Sequence, residues 1–303
     1  TYVRSFNQPI SMIAQNMNVL QSTAAAAERV FEFLGEEEEV AECAHPVEIF
    51  DAQGNTSIQG QVTFENVHFG YTPDKIIIHD FSMYIKPGKK IAIVGPTGAG
   101  KTTIIKLLMR FYELNSGAIY IDGIKTTDMR RKDLRSLFGM VLQDAWLFNG
   151  TVMENLRYGK LDATDEEVLR AADAAYVDHF IRTLDHGYDT VINEESSNIS
   201  QGQKQLLTIA RAFLADPKIL ILDEATSSVD TRTEVLIQKG MDKLMENRTS
   251  FVIAHRLSTI RDADLILVMK DGDIVEAGNH EELMQADGFY TQLYNSQFDA
   301  EEE

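Results

Sequence analysis

A single cysteine, Cys43, in 303 residues excludes a disulfide framework and a thiolate metal cluster. Histidine is scarce too: the seven are scattered, with no HExxH and no helical pair, which argues against a structural metal. Basic residues are in deficit, 28 against 47 acidic, for a net charge of −19. That balance disfavours nucleic acid or an anionic membrane surface as a direct partner for the bulk of the chain. No apolar run approaches the roughly 18 residues that a membrane helix needs, and no basic, apolar leader opens the sequence. The polypeptide as it stands is expected to be soluble. It starts at Thr1 rather than Met, so we expect a piece of something longer, and the missing span does not speak for the full product.

What is present is a phosphate loop. Gly95-Pro96-Thr97-Gly98-Ala99-Gly100-Lys101-Thr102 follows the apolar run Ile91-Ala92-Ile93-Val94 and opens the helical pattern Ile104-Ile105-Lys106-Leu107-Leu108. Glycines let successive backbone N–H groups curl round a β-phosphate with no Cβ in the way. Lys101 would neutralise the β- and γ-phosphates, and the Thr102 hydroxyl would ligate Mg²⁺. The motif implies a nucleoside triphosphate, ATP or GTP. A second apolar run, Ile219-Leu220-Ile221-Leu222, ends in Asp223-Glu224. In a parallel sheet buried on both faces, ligands gather at the carboxyl ends of strands. Asp223 is thereby placed to hold Mg²⁺ through its water shell, with Glu224 facing the terminal phosphate.

Short apolar runs recur at Val62–Phe64, Ile91–Val94, Ile119–Ile121, Phe138–Leu142, Ile219–Leu222, Ser250–Ile253 and Leu265–Met269, with helical patterns between several of them. The core therefore reads as α/β with mostly parallel strands. An antiparallel portion is suggested by Val62–Phe69 and Ile76–Met83, and residues 151–187 are helical in pattern, a smaller module set between two parts of the core. Residues 281–298 are helical again. Ahead of the core, Ile13, Met17, Leu20, Ala24, Ala27, Phe31 and Leu34 mark one helix over residues 11–34, ended by Gly35. The run Glu36–Glu39 and the stretch to about Gly60 read as an acidic surface linker. The helix is then either an outlying arm wanting a partner or packed on its own domain.

In order, the phosphate loop, Gln143, the segment Asn198-Ile199-Ser200-Gln201-Gly202-Gln203-Lys204-Gln205, Asp223-Glu224 and His255 resemble the nucleotide-binding domain of ABC transporters, in particular the exporters whose motor follows six membrane helices. The resemblance covers about residues 58–297. It implies a P-loop NTPase core with a mostly parallel sheet, an antiparallel β subdomain and an inserted α-helical subdomain at about 145–212. Residues 1–35 would continue the last membrane helix, and 36–57 would be the linker. Carried over, Tyr71 stacks on adenine, while Thr97, Gly98, Ala99, Gly100, Lys101, Thr102 and Thr103 hold the phosphates. Ser200, Gly202 and Gln203 belong to the signature segment, which in the family caps the γ-phosphate bound by the other domain of a head-to-tail dimer. Ser227-Ser228-Val229-Asp230 would cross that interface. Glu224, His255 and Gln143 would be catalytic, and Thr102, Gln143 and Asp223 would meet Mg²⁺. The helical module would receive the transmembrane domains of the same polypeptide. The resemblance further implies ATP hydrolysis coupled to export, at the cytoplasmic face of a membrane.

Two departures stand out. Gln201 replaces the usual glycine of the signature, and Thr190–Ser196 differs from the usual Thr-Glu-Val-Gly-Glu-Arg-Gly. Such variation is found in halves of asymmetric exporters, so a non-identical partner is expected; a homodimeric exporter tolerating Gln201 is the alternative. Soluble relatives acting on DNA or ribosomes carry coiled-coil insertions or tandem domains, which this sequence lacks.

Overall fold

Strands whose residues are apolar on both faces can only sit between two layers, and the computed structural model places them so. It describes residues 2–72, 74–142, 145–193, 199–223, 229–253 and 257–298. The main sheet contains β3 (Lys90–Val94), β6 (Phe138–Val141), β9 (Ile219–Asp223), β10 (Thr249–Ile253), β11 (Leu265–Lys270) and β12 (Asp273–Gly278), in the order β12-β11-β3-β10-β9-β6. All neighbours are parallel except β11 and β12. Alternate side chains of the same strand serve different cores. Ala92, Leu220, Leu222 and Val252 face one hydrophobic cluster, while Ile91, Ile219, Ile221 and Phe251 face the other.

The first cluster is covered by α4 (Val152–Arg157), α5 (Asp165–Ala174), α6 (Asp178–Arg182), α7 (Gln201–Ala215) and α8 (Thr231–Met245), with α10 (His280–Gln285) and α11 (Phe289–Phe298) adding side chains. The second takes in α2 (Lys101–Leu108), α3 (Arg131–Ser136) and an antiparallel sheet of order β2-β1-β4-β5. These strands are β1 (Val62–Phe69), β2 (Ile78–Ile85), β4 (Ser116–Ile121) and β5 (Ile124–Lys125). A two-stranded ribbon joins β7 (Gly150–Thr151) to β8 (Val191–Ile192), and α9 (Leu257–Arg261) follows β10. Short helices are started by their own sequence: Thr151 with Glu154, Thr164 with Glu167 and Asn279 with Glu282 each close a reciprocal capping box.

Several expectations shift. The run Ile119–Ile121, one of the short strands of a core read as mostly parallel, pairs antiparallel with β1, Val62 opposite Ile121. A three-residue apolar run carries no information on strand direction. Strand β12 alternates exposed and half-buried residues and offers only the apolar pair Ile274-Val275, too short for such a reading. The acidic stretch is not a loose linker throughout. Ile49 and Ile58 are buried, the Val47 N–H donates to Asp128 O at 2.8 Å, and the Arg131 N–H donates to the Glu42 carboxylate at 2.8 Å.

The chain divides into two units, Thr1–Ala41 and Glu42–Glu303. The first contains α1 (Tyr2–Leu34), which starts earlier than the apolar pattern from residue 11 and runs through Pro9. Proline removes one backbone donor near the helix start, which the remaining turns outlast. Ile13, Met17, Leu20, Phe31 and Leu34 on this helix are exposed.

Candidate functional site

β3 ends at Val94, and the chain reaches α2 through a turn that only glycine can follow. Gly95, Gly98 and Gly100 have φ of 149°, 85° and 101°. A Cβ on Gly95 would lie 2.2 Å from Met269 O, and one on Gly100 would lie 3.0 Å from Ile78 Cδ1. Gly98, by contrast, has nothing within 4 Å. Two glycines let the loop close on the sheet, and the third leaves its outer side open for a ligand. Gly100 caps α2 with no side-chain hydrogen bond. The first-turn N–H groups of a helix lack intrahelical acceptors and carry the positive end of its dipole, so this turn is a seat for an anion.

Lys101 folds back along the loop, its ammonium donating to Gly95 O at 2.6 Å and Pro96 O at 3.1 Å. Burial pushes it below the ordinary lysine value, against the opposing pull of Asp223. Asp223 ends β9 in register with Ile253 of β10. Both line a cavity of about 690 Å³ with Thr97, Gly98, Ala99, Gly100, Lys101, Thr102, Thr103 and Tyr71. The structure thus gathers every described residue expected at the phosphates, the base and the metal of this chain's own nucleotide. Thr102 is exposed to the cavity, whereas Thr103 is buried.

Tyr71 stands at one end of the cavity. Its hydroxyl is 3.3 Å from Thr103 Oγ1, and its ring meets Phe69 and Tyr112 edge-on, each at 5.0 Å between centroids. Lys106 Nζ lies 5.8 Å from its ring centre. Tyr71 remains 44% exposed, enough open face for a flat base to stack.

Sequence reasoning missed the far wall, Lys75, Ile76, Ile77, Asp271 and Gly272. The Asp271-Gly272 turn has φ of 49° and 90°, and the Gly272 N–H donates to Ala99 O at 3.2 Å. An Asp-Gly pair after an apolar strand is a hairpin signal that could have announced it. That it buttresses the phosphate loop is visible only in three dimensions.

Ser200, Gly202 and Gln203 do not line this cavity. Ser200 caps α7, its Oγ accepting from the Gln203 N–H at 3.3 Å while the Ser200 N–H donates to Gln203 Oε1 at 2.9 Å. A Cβ on Gly202 would come within 2.6 Å of Thr233 Cγ2 and 2.7 Å of Val229 Cγ1, so glycine is required for α7 to approach α8. Gln201 is exposed at the start of the same helix. Gln143, Glu224 and His255 lie outside the described residues, as do Ser227 and Ser228. In the sequence, Gln143, Glu224 and His255 come one or two positions after the last residues of β6, β9 and β10.

Residues 78–227 match the family described as ABC transporter. The chain is 54% identical over 292 residues to a fatty acid ABC transporter ATP-binding/permease protein of Mycobacterium bovis, covering 96% of this chain and 45% of that protein. It is 43% identical over 297 residues to a putative multidrug export ATP-binding/permease protein of Bacillus subtilis, covering 98% of this chain and 50% of that one. A bacterial Atm1-family ABC exporter solved with ATP bound superposes with a TM-score of 0.79 at 39% identity, over 96% of this chain and 50% of that chain. The chain spans about half the length of these relatives.

Proposed function

The chain belongs to the ABC transporter family, as an exporter-type ATP-binding domain, and on that premise we propose that it is the motor of an exporter, hydrolysing Mg-ATP in composite sites shared with a second such domain. The observation that carries this reading is the cavity in which Lys101, Asp223, the uncapped start of α2 and Tyr71 converge. Phosphoryl transfer requires positioning and positive or N–H partners round the equatorial oxygens rather than covalent chemistry, and this cavity supplies both.

Hydroxyl and carboxylate oxygens suit a hard divalent cation. Thr102, in the first turn of α2, and Asp223, at the end of β9, line one cavity and fit Mg²⁺, with Gln143 as the third candidate. Bound with the nucleotide, Mg²⁺ would neutralise phosphate charge. Glu224 would orient the attacking water and take its proton, and His255 would donate to the γ-phosphate. Ser200 and the start of α7 do not face this chain's own cavity, which suits a group serving the nucleotide of a partner copy.

The membrane portion would dock on an exposed apolar patch beside α4. Trp146, Tyr158 and Leu161 are 63%, 58% and 78% exposed there, an unusual concentration for a surface facing water alone. A homodimer remains the second reading, favoured by one observation: with Gln201 in place and exposed, the Ser200–Gln203 capping box is intact.

Replacing Glu224 with Gln keeps shape and hydrogen bonding while removing the base. ATP affinity should be retained and hydrolysis should fall by about 10²-fold or more, read as phosphate release under saturating ATP. Turnover at the wild-type rate would remove Glu224 from its role.

A further inference from the structure

The only tryptophan of the chain, Trp146, belongs to the apolar patch, and its main chain is held from beneath by Arg211 of α7. Three guanidinium hydrogen bonds, each 2.6 Å, run from Arg211 to Trp146 O, Asn155 O and Asn155 Oδ1. None of these acceptors is a carboxylate. Asn155, fully buried on α4, completes the clamp: its amide donates to Phe148 O and Thr151 O, both at 3.0 Å, and its Oδ1 accepts from the Phe148 N–H at 3.1 Å. The rings of Phe148 and Tyr158 lie 6.0 and 5.6 Å from the guanidinium carbon. Gly159, at the end of α4, comes so close that a Cβ would sit 2.4 Å from Arg211 O.

A planar fork with several donors in fixed directions can hold separate segments in one geometry, which a lysine's single ammonium cannot. Here the segments are the loop 146–151, the end of α4 and the helix that starts at Ser200. Burial brings the Arg211 pKa down to about 10, the mark of a desolvated cation kept in place by its carbonyl partners.

We propose that Arg211 is a positioning residue that transmits displacement of the Trp146–Phe148 loop to α7, so that the placement of Ser200 follows the state of the apolar patch. The connection is direct: Arg211 of α7 reaches α4 through its part-buried bonds to Asn155 and the loop through an exposed bond to Trp146 O. Helices move as units when packed, so a shift at Arg211 reaches the cap at Ser200, eleven residues earlier. The inference rests on the reading that the patch meets the membrane portion and that Ser200 acts on a partner's nucleotide.

The test is Arg211→Lys, with two readouts. Native-state hydrogen exchange of the chain without nucleotide should show the Phe148 amide opening together with α7 in the wild type. In the variant its protection should fall by about tenfold or more while α7 stays protected. In the assembled transporter, turnover should drop by about tenfold to a hundredfold, as for an ångström-scale misplacement, with the Kd for Mg-ATP unchanged. Wild-type exchange at Phe148 or wild-type turnover would overturn the proposal. So would a parallel loss of protection everywhere in step with a lower Tm, which marks a merely structural contact. If Arg211→Lys does not fold, Tyr158→Ala, at an exposed ring, decides: smaller changes of the same pattern support the proposal, and none in either readout rejects it. A wild-type chain that does not bind ATP would sink the motor reading and leave the exchange result standing.

Discussion

The Lys101 ammonium donates to two carbonyls of its own loop and has been made easier to deprotonate by burial. Such a cation gains most from an incoming phosphate, because a charge-assisted bond can replace two bonds to neutral oxygens. Lys101→Ala should therefore weaken Mg-ATP binding by about tenfold to a hundredfold, the range of one hydrogen bond to a charged group. Calorimetric titration measures it; an unchanged affinity would place the nucleotide elsewhere. Tyr71 came only through the resemblance to the family, whereas Lys101 was legible in the sequence because its motif is local, a glycine turn after a strand. Lys106 and Gly272 were not. Lys106 reads as one more charge on a helix, and its place beside the Tyr71 ring, 35 positions earlier, exists only in the folded chain. Gly272 is demanded by a wall 195 positions away in sequence, for its Cβ would lie 1.7 Å from Ile77 O.

At the scale of the element, α7 joins the two ends of the argument, Ser200 at its start and Arg211 near its end. Ser200→Ala removes the side-chain half of the capping box and should cost about 1 kcal/mol of stability, whereas Ser200→Thr should retain most of it. Urea unfolding of the chain reads this without any nucleotide, so the capping role separates from a role toward a partner's phosphate. Gly202→Ala is the harsher change, since the new methyl must push Thr233 and Val229 aside; overpacking of this kind costs about 1–3 kcal/mol. An alanine variant as stable as the wild type would show that α8 can yield there. The reading of elements from sequence followed the same divide. The buried strands carry unbroken apolar runs, and their positions could be read directly. Strand β12, with only the pair Ile274-Val275 as an apolar run, could not, and neither could the anchoring of residues 42–58, because acidic composition describes the exposed side chains of a segment and is silent about Ile49, Ile58 and the Glu42 carboxylate at the start of α3.

For the whole molecule the open choice is the partner. Each copy carries a net charge of −19, which opposes self-association at low ionic strength. The chain alone should sediment as a monomer or weak dimer, with Mg-ATP the chief adhesive between two such domains. The departures at Gln201 and at 193–196 lie in the segment that would face the other domain's nucleotide, while the residues expected at this chain's own nucleotide are retained. In an asymmetric pair, this chain's ATP would then sit in the competent site, closed by the partner's signature, and Ser200 would serve the weaker one. Replacing the partner's signature serine should cripple turnover, while Ser200→Ala here should cost much less, beyond the small stability loss already argued. Measuring phosphate release for the two variants in the assembled transporter separates the readings: unequal losses support a non-identical partner, whereas equal losses, or full activity from this polypeptide alone, establish the homodimer.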